Sequence, residues 1–130
     1  MSGEARRWLQ YAWENRQIAQ ISLERGFFNP CLQNAQQAVE KALKALWIAE
    51  GLPIKKTHSI QELTVDLRHR GIDVELEDDD CELLDSVYLP SKYPLGSALP
   101  DFEPDEAIAR LCLSIADRVL AKVERMGPWE

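Results

Sequence analysis

Apolar residues recur at steps of three and four along most of this chain, which is the spacing of one face of an α-helix. The strongest example is a stripe of small residues in the second quarter of the sequence: Ala35, Ala38, Ala42, Ala45 and Ala49. Side chains this small would allow a second helix to approach closely. No stretch alternates apolar and polar residues for long enough to predict a β-strand. The pattern therefore predicts an all-α protein.

Turn and capping residues divide the pattern into five predicted helices, at about 4–25, 30–50, 60–70, 76–89 and 104–126. Asn29 is the expected cap of the second helix, with Pro30 at its first position. Ser59 and Glu62 have the spacing of a capping box before the third helix. The very short link between the first two helices predicts an antiparallel hairpin. We expect a single domain over residues 1–130, with its core at about 5–125, arranged as an up-down four-helix bundle with an additional short helix.

The first and last helices carry more apolar residues than one inner stripe needs. The stripe of the last helix is expected to include Ile108, Leu111 and Cys112. The surplus residues are Trp13, Ile18 and Ile21 in the first helix and Leu113, Ala116 and Leu120 in the last. Because a monomer would leave such residues in water, we predict a homodimer. The alternative is a wider buried face on each helix.

The composition restricts the class of protein further. A chain of 130 residues that is 45% hydrophobic is long enough for one domain with a proper core. Its formal charge of −7 argues against strong nonspecific binding of nucleic acid, which depends on Lys and Arg contacts to phosphates. No apolar run is long enough to predict a membrane span, and no apolar signal core follows the N-terminus. We therefore expect a cytoplasmic protein without a membrane partner.

The sequence gives little support for a metal site or a disulfide. Cys31, Cys81 and Cys112 are far apart and are expected to be buried thiols. An acidic run between positions 75 and 85 is expected to be the solvated start of the fourth helix, because carboxylates favour helix N-termini. We predict no metal ion and no other cofactor.

The segment 89–103 is the first candidate for a functional site. It is interrupted by prolines yet unusually apolar for a connection, so we expect it to fold back on the second helix. Lys92 is its only base. Beside Tyr88 and Tyr93, Lys92 could hold a phosphate while a tyrosine ring stacks on a nucleobase. The alternative is an ordinary surface lysine.

The second helix carries polar residues on a different face from its alanine stripe, namely Gln37, Lys41 and Lys44. Their amide and ammonium groups suit a phosphate or carboxylate ligand. The alternative is a solvent-facing surface on which Glu40 and Lys44 form an ordinary i,i+4 pair. His58, just before the third helix, could either bond to nearby backbone or serve the site.

Four segments together resemble the HEPN domain (higher eukaryotes and prokaryotes nucleotide-binding). They are Trp8 with Ala12, residues 35–46, residues 57–60 and residues 88–94, and the second of these is the most specific. The resemblance implies a dimeric helical bundle in a prokaryotic cytoplasm, often encoded beside a minimal nucleotidyltransferase, as in toxin–antitoxin pairs. It favours nucleotide binding, for which the candidate residues are Lys92, Tyr93, His58, Lys41, Lys44, Gln37 and Tyr88.

Many HEPN proteins are metal-independent ribonucleases whose motif is an arginine followed, after four to six residues, by a histidine. Neither His58 nor His69 follows an arginine at that spacing, and no histidine lies between Tyr93 and Phe102. We therefore predict no catalytic residues and assign no function to His69. Two alternatives to a binding module stay open: a diverged ribonuclease toxin in which His58 reaches Lys92, and a purely structural partner subunit.

Overall fold

The computed structural model describes residues 3–92, 103–127 and 129, and for 89–92 it describes the backbone alone. Five α-helices follow one another along the chain: α1 (Gly3–Glu24), α2 (Phe28–Ala49), α3 (Ile60–Arg68), α4 (Asp78–Lys92) and α5 (Glu106–Arg125). No β-strand occurs in this described part, so the all-α prediction is confirmed. None of its helices combines the length and the continuous hydropathy that crossing a bilayer requires.

The second helix is the centre of the bundle, because α2 packs against all four other helices. The alanine stripe explains why α1 is the helix that packs most extensively against α2. Ala35, Ala38, Ala42 and Ala45 are completely buried, and α1 makes its most extensive contact with α2. Asn15 bonds to Asn34 while Trp8 lies over Lys44, so rising numbers in α1 meet falling numbers in α2. The predicted antiparallel hairpin is confirmed.

The last helix corrects two predictions about the core. Leu113, Ala116 and Leu120 are buried within the single chain, so they are not surplus surface. Leu111, which we placed in the inner stripe, is 51% exposed. The reason is that α5 packs against α1, α2 and α4, and a helix with several neighbours buries a wider face than one stripe. In α1 the exposed residues Ile18 and Ile21 do remain on the surface.

The predicted start of the second helix is wrong. The second helix begins at Phe28, not at Pro30, and Phe27 occupies the capping position without a side-chain hydrogen bond. The chain turns there because the Phe27 N–H donates to the Ser22 carbonyl at 2.7 Å and the Cys31 N–H donates to the Phe27 carbonyl at 3.1 Å. The first of these bonds closes the end of α1 and the second is the first intrahelical bond of α2, so α2 starts two residues before the predicted position.

The fourth helix extends beyond its predicted end. We expected a connection from residue 89, yet α4 continues through Pro90 to Lys92. Proline removes one N–H donor, but its fixed φ is compatible with a helical turn. The remaining residues of this connection, 93–102, lie outside the described residues, so its predicted folding against α2 stays a prediction.

The three cysteines are buried free thiols, as predicted. Burial raises the pKa of the Cys31 thiol to about 11. It raises the pKa of the Cys112 thiol to about 12. Both thiols therefore stay protonated in the core at neutral pH.

Candidate functional site

A buried polar group lies in the middle of the central helix, beside its alanine stripe. Glu40 is 3% exposed and Lys44 is 6% exposed. The Lys44 ammonium donates to Glu40 Oε2 at 2.9 Å. The amides of Gln36 and Gln37 donate to Glu40 Oε1 at 3.4 and 3.3 Å. We call these four residues and His58, which joins them, the Glu40 cluster.

Burying a carboxylate is costly unless it is paired and hydrogen-bonded, and the Glu40 cluster meets that requirement. One ammonium neutralises Glu40, and two amides donate to it. The completely buried Gln36 also donates to the His58 backbone carbonyl at 3.1 Å, which fixes the link before α3 on α2. Glu40 and Lys44 therefore form a buried ion pair. The alternative prediction, in which Lys44 lies on a solvent-facing surface, is wrong.

His58 places an imidazole at the outer edge of this cluster. Its Nδ1 lies 3.2 and 3.3 Å from the two Glu40 carboxylate oxygens. A carboxylate paired with an ammonium can only accept, so Nδ1 carries a hydrogen and donates to it. The His58 side chain is nevertheless 67% exposed. His58 thus bonds to the side chains of Gln36 and Glu40, not to nearby backbone as one alternative expected. Its role in a ligand site stays a prediction.

Tyr88 packs beside this imidazole. The two ring centroids are 6.0 Å apart, with the planes inclined at 30°. His58, Ser59, Asp85 and Tyr88 line a surface cavity of about 260 Å³. Because Tyr88 is only 8% exposed, it supports the imidazole and offers little ring face to a ligand.

Asp85 of α4, which sequence reasoning missed, binds the backbone at the start of α3. Its carboxylate accepts from the Ile60 N–H at 2.7 Å and from the Gln61 N–H at 3.1 Å. The Ser59 hydroxyl accepts from the Glu62 N–H at 3.1 Å, as a capping box requires. The Glu62 carboxylate pairs with Lys55 at 3.5 Å, so only half of the predicted box forms. Thr57 Oγ1 supplies the missing acceptor, because the Ser59 N–H donates to it at 3.1 Å. The Asp85 carboxylate from α4 binds the next two N–H groups and fixes the link that carries His58.

The remaining predicted site residues divide into two groups. Lys92 lies in the last turn of α4, one turn beyond Tyr88, but its side chain and all of Tyr93 lie outside the described residues. Their role stays a prediction. Lys41 turns away from His58, and its ammonium donates to Asn15 Oδ1 at 2.7 Å. It lines a separate cavity along α1, so the predicted grouping of Gln37, Lys41 and Lys44 on one face is divided between two surroundings.

One signal in the sequence could have identified the Glu40 cluster. Gln36, Glu40 and Lys44 are spaced by four residues, so they form one row on the helix. That row lies beside an alanine stripe in a helix with few exposed positions. When neighbouring helices cover such a helix, the polar side chains of the row have to form hydrogen bonds and ion pairs with one another.

Five helices, a short hairpin link and a central helix with a buried polar row define a small all-α bundle domain. The particular family follows from comparison with known proteins. A family model of the HEPN domain matches residues 5–126. The chain therefore belongs to the HEPN domain family.

Solved structures agree with this assignment. TT1696 from Thermus thermophilus superposes with a TM-score of 0.77 at 34% identity, covering 95% of this chain and 98% of that one. ST0689, an archaeal HEPN homologue, gives a TM-score of 0.70 at 25% identity, with 94% and 96% covered. A HEPN domain protein from Thermotoga maritima, tm0613, shares the fold with a TM-score of 0.54 at 23% identity, with 92% and 90% covered. No curated protein matches the sequence.

Proposed function

We propose that this HEPN domain binds a nucleotide through its phosphate at the surface formed by His58 and Tyr88. The observation that carries the proposal is the exposed imidazole of His58, whose inner nitrogen is held by the buried Glu40. With Nδ1 fixed inward, the opposite nitrogen is left at the surface. In the protonated ring that nitrogen donates to an anionic oxygen, and charge-assisted bonds of this kind are about twice as strong as neutral ones.

Two predicted residues would complete the site. Lys92 follows Tyr88 by one turn of α4, which places its backbone on the same side of the helix as the cavity. Its ammonium would provide the second cation for phosphate. Tyr93 would then supply the ring for the nucleobase, since Tyr88 is buried. His58 and Lys92 would thus provide local positive charge in a chain whose formal charge is −7.

The two histidines of the chain provide a matched test. ATP, GTP and AMP are titrated against the protein while the histidine ring signals are followed by NMR and the heat is measured by calorimetry. His58→Ala and Lys92→Ala should abolish or strongly weaken binding. His69→Ala, at the exposed C-terminal end of α3, should leave it unchanged. If no nucleotide binds at millimolar concentration, or if both histidine variants behave alike, the proposed site is wrong.

A diverged ribonuclease is the second candidate, and the contact of His58 with Glu40 favours it specifically. A carboxylate that orients an imidazole while its other nitrogen faces solvent is the arrangement that general acid–base catalysis uses. Lys92, from the same or the opposite subunit, would stabilise the phosphorane. Cleavage of RNA by the purified protein that disappears in His58→Ala but persists in His69→Ala would support this function. Expression without growth inhibition and without RNA cleavage would count against it.

Partner binding is part of the same proposal. Ile18, Ile21 and Phe27 are 48%, 56% and 60% exposed near the C-terminal end of α1. Apolar residues this exposed suit a protein interface. We propose a cytoplasmic homodimer that associates with a minimal nucleotidyltransferase, as in a toxin–antitoxin pair. Sedimentation of wild type and of Ile21→Glu tests the homodimer. Co-purification with a neighbouring nucleotidyltransferase, with and without nucleotide, separates a ligand-dependent partner from a purely structural one.

A further inference from the structure

A second surface cavity lies on the α1 side of the central helix, apart from the His58 surface. Its volume is about 340 Å³, and its lining consists of Glu4, Arg7, Trp8, Tyr11, Lys41 and Ile54. The first turns of α1 provide most of this lining, α2 provides the lysine, and the link after α2 provides the isoleucine. The cavity therefore lies where the start of α1 passes the second half of α2.

The apolar part of the lining is unusually open to solvent. Tyr11 is 47% exposed and Ile54 is 51% exposed, although both are large hydrophobic side chains. Trp8 is half-buried beside them, and the Lys44 ammonium lies 5.7 Å from its ring centroid. Two aromatic rings and a branched aliphatic chain around one cavity suit a flat apolar body, because aromatic groups stack on such walls.

The indole N–H of Trp8 differs from those of the other tryptophans. The other three indoles donate to Glu124, to the Pro53 carbonyl and to the Val123 carbonyl. Within the described part of the chain, the Trp8 indole donates to no acceptor. The cavity wall therefore includes a ring whose N–H is not already engaged.

The charged part of the lining favours an anion. Arg7 and Lys41 contribute two cations, whereas Glu4 contributes one carboxylate. Lys41 donates to the neutral amide of Asn15, and no carboxylate among the described residues forms an ion pair with it. Among the described residues, Arg7 forms no ion pair. A local excess of positive charge is thus maintained in a chain whose formal charge is −7.

We propose that this cavity binds a compact aromatic anion, a flat ring system that carries one carboxylate or phosphate group. The ring would pack against Trp8, Tyr11 and Ile54, and the anionic group would contact Arg7 and Lys41. The size of the ligand follows from the volume. About 340 Å³ is near the lower end of small-molecule sites, which admits one or two fused rings with a short charged arm.

The test is an NMR titration that follows the four tryptophan indole N–H signals. Indole-3-acetate represents the carboxylate source and AMP the phosphate source, while indole-3-acetamide is the uncharged control. At least one anion should shift the Trp8 signal, and the amide should bind roughly tenfold more weakly because a charge-assisted contact is lost. Because the proposed nucleotide site is followed through the His58 ring signals, failure of one proposal can be distinguished from failure of the other.

Matched variants separate binding in the cavity from general effects. Lys41→Met should weaken binding about tenfold, whereas Lys41→Arg should largely retain it. Tyr11→Ala should weaken binding, and Leu111→Ala, a similarly exposed residue on α5, should not. Glu4→Gln should strengthen binding, because it removes a like charge. The proposal is overturned if neither anion shifts the Trp8 signal, if the amide binds as well as the acid, or if Lys41→Met binds normally.

Discussion

Replacing Glu40 by alanine should be among the most destabilising substitutions in this domain. The Glu40 and Lys44 side chains are 4% and 8% exposed, and they meet at 2.9 Å. Removing one partner of a buried ion pair leaves the other charge uncompensated in the core, which costs about 3–5 kcal/mol. Gln36, Gln37 and His58 also lose an acceptor. Since small domains unfold with about 5–15 kcal/mol, the loss is a large fraction of the total stability.

The same helix spacing occurs at an exposed position, which provides the control. Arg110 Nε donates to Glu106 at 2.7 Å in α5, and the two side chains are 65% and 57% exposed. An exposed i,i+4 pair contributes about 0.3–0.5 kcal/mol. Glu106→Ala should therefore change the free energy of unfolding by less than about 1 kcal/mol. Both pairs join a glutamate to a base four residues later in a helix, and they differ most in burial. They also differ in the base, which is Lys44 in one pair and Arg110 in the other.

Urea unfolding followed by far-UV circular dichroism gives the free energy for each variant. With an m-value of about 2 kcal/mol per molar urea, Glu40→Ala should lower the midpoint by roughly 2 M. Replacing both partners, as in Glu40→Leu with Lys44→Met, should recover most of the loss, because an apolar pair leaves no buried charge. If Glu40→Ala costs no more than Glu106→Ala, the buried ion pair does not stabilise the core and the reasoning is refuted.

Three further predictions test other parts of the fold. Leu120→Ala should lower the free energy of unfolding by about 2–5 kcal/mol because this leucine is completely buried. A change near zero in urea unfolding would contradict its burial and support the original prediction that it lies on the surface. Asp85→Ala should cost about 1–2 kcal/mol by removing the acceptor at the start of α3, whereas the exposed Asp79→Ala should cost little. Burial raises the pKa of Cys31 to about 11 and of Cys112 to about 12, from 9.0 in the unfolded chain. The contribution of each thiol to the free energy of unfolding is therefore complete below pH 9. It decreases by up to about 1.4 kcal/mol per pH unit as the pH rises from 9.0 to the folded pKa of that thiol. A urea series across this range should show a shallower decrease in Cys112→Ala.

The sequence was sufficient for the helices because their signals are local. Steps of three and four in the apolar residues, with glycines after the helix ends, gave the number and order of the helices. The errors arose where tertiary contacts overrode local signals. The backbone bond from Phe27 to Ser22 closes the turn after α1, and α2 begins at Phe28, before the Asn29 position that local signals favoured. Leu113 and Leu120 were judged against one stripe, whereas α5 packs against three earlier helices, α1, α2 and α4. How many partners a helix has cannot be read from its own spacing.

The Glu40 cluster shows the same limitation at the candidate site. A glutamate and a lysine four residues apart, such as Glu40 and Lys44, give the same sequence pattern on an exposed helix and on a buried one. Only the neighbouring helices decide whether the pair is exposed or buried. Here four neighbouring helices surround α2, so the pair is buried. An apolar pair should retain most of the stability at this position, which means that stability alone does not account for the carboxylate. What an apolar pair could not do is hold His58 with one nitrogen inward and the other at the surface. The double variant that restores stability should therefore leave the His58 ring signals broadened or shifted, because the acceptor that orients the ring is gone.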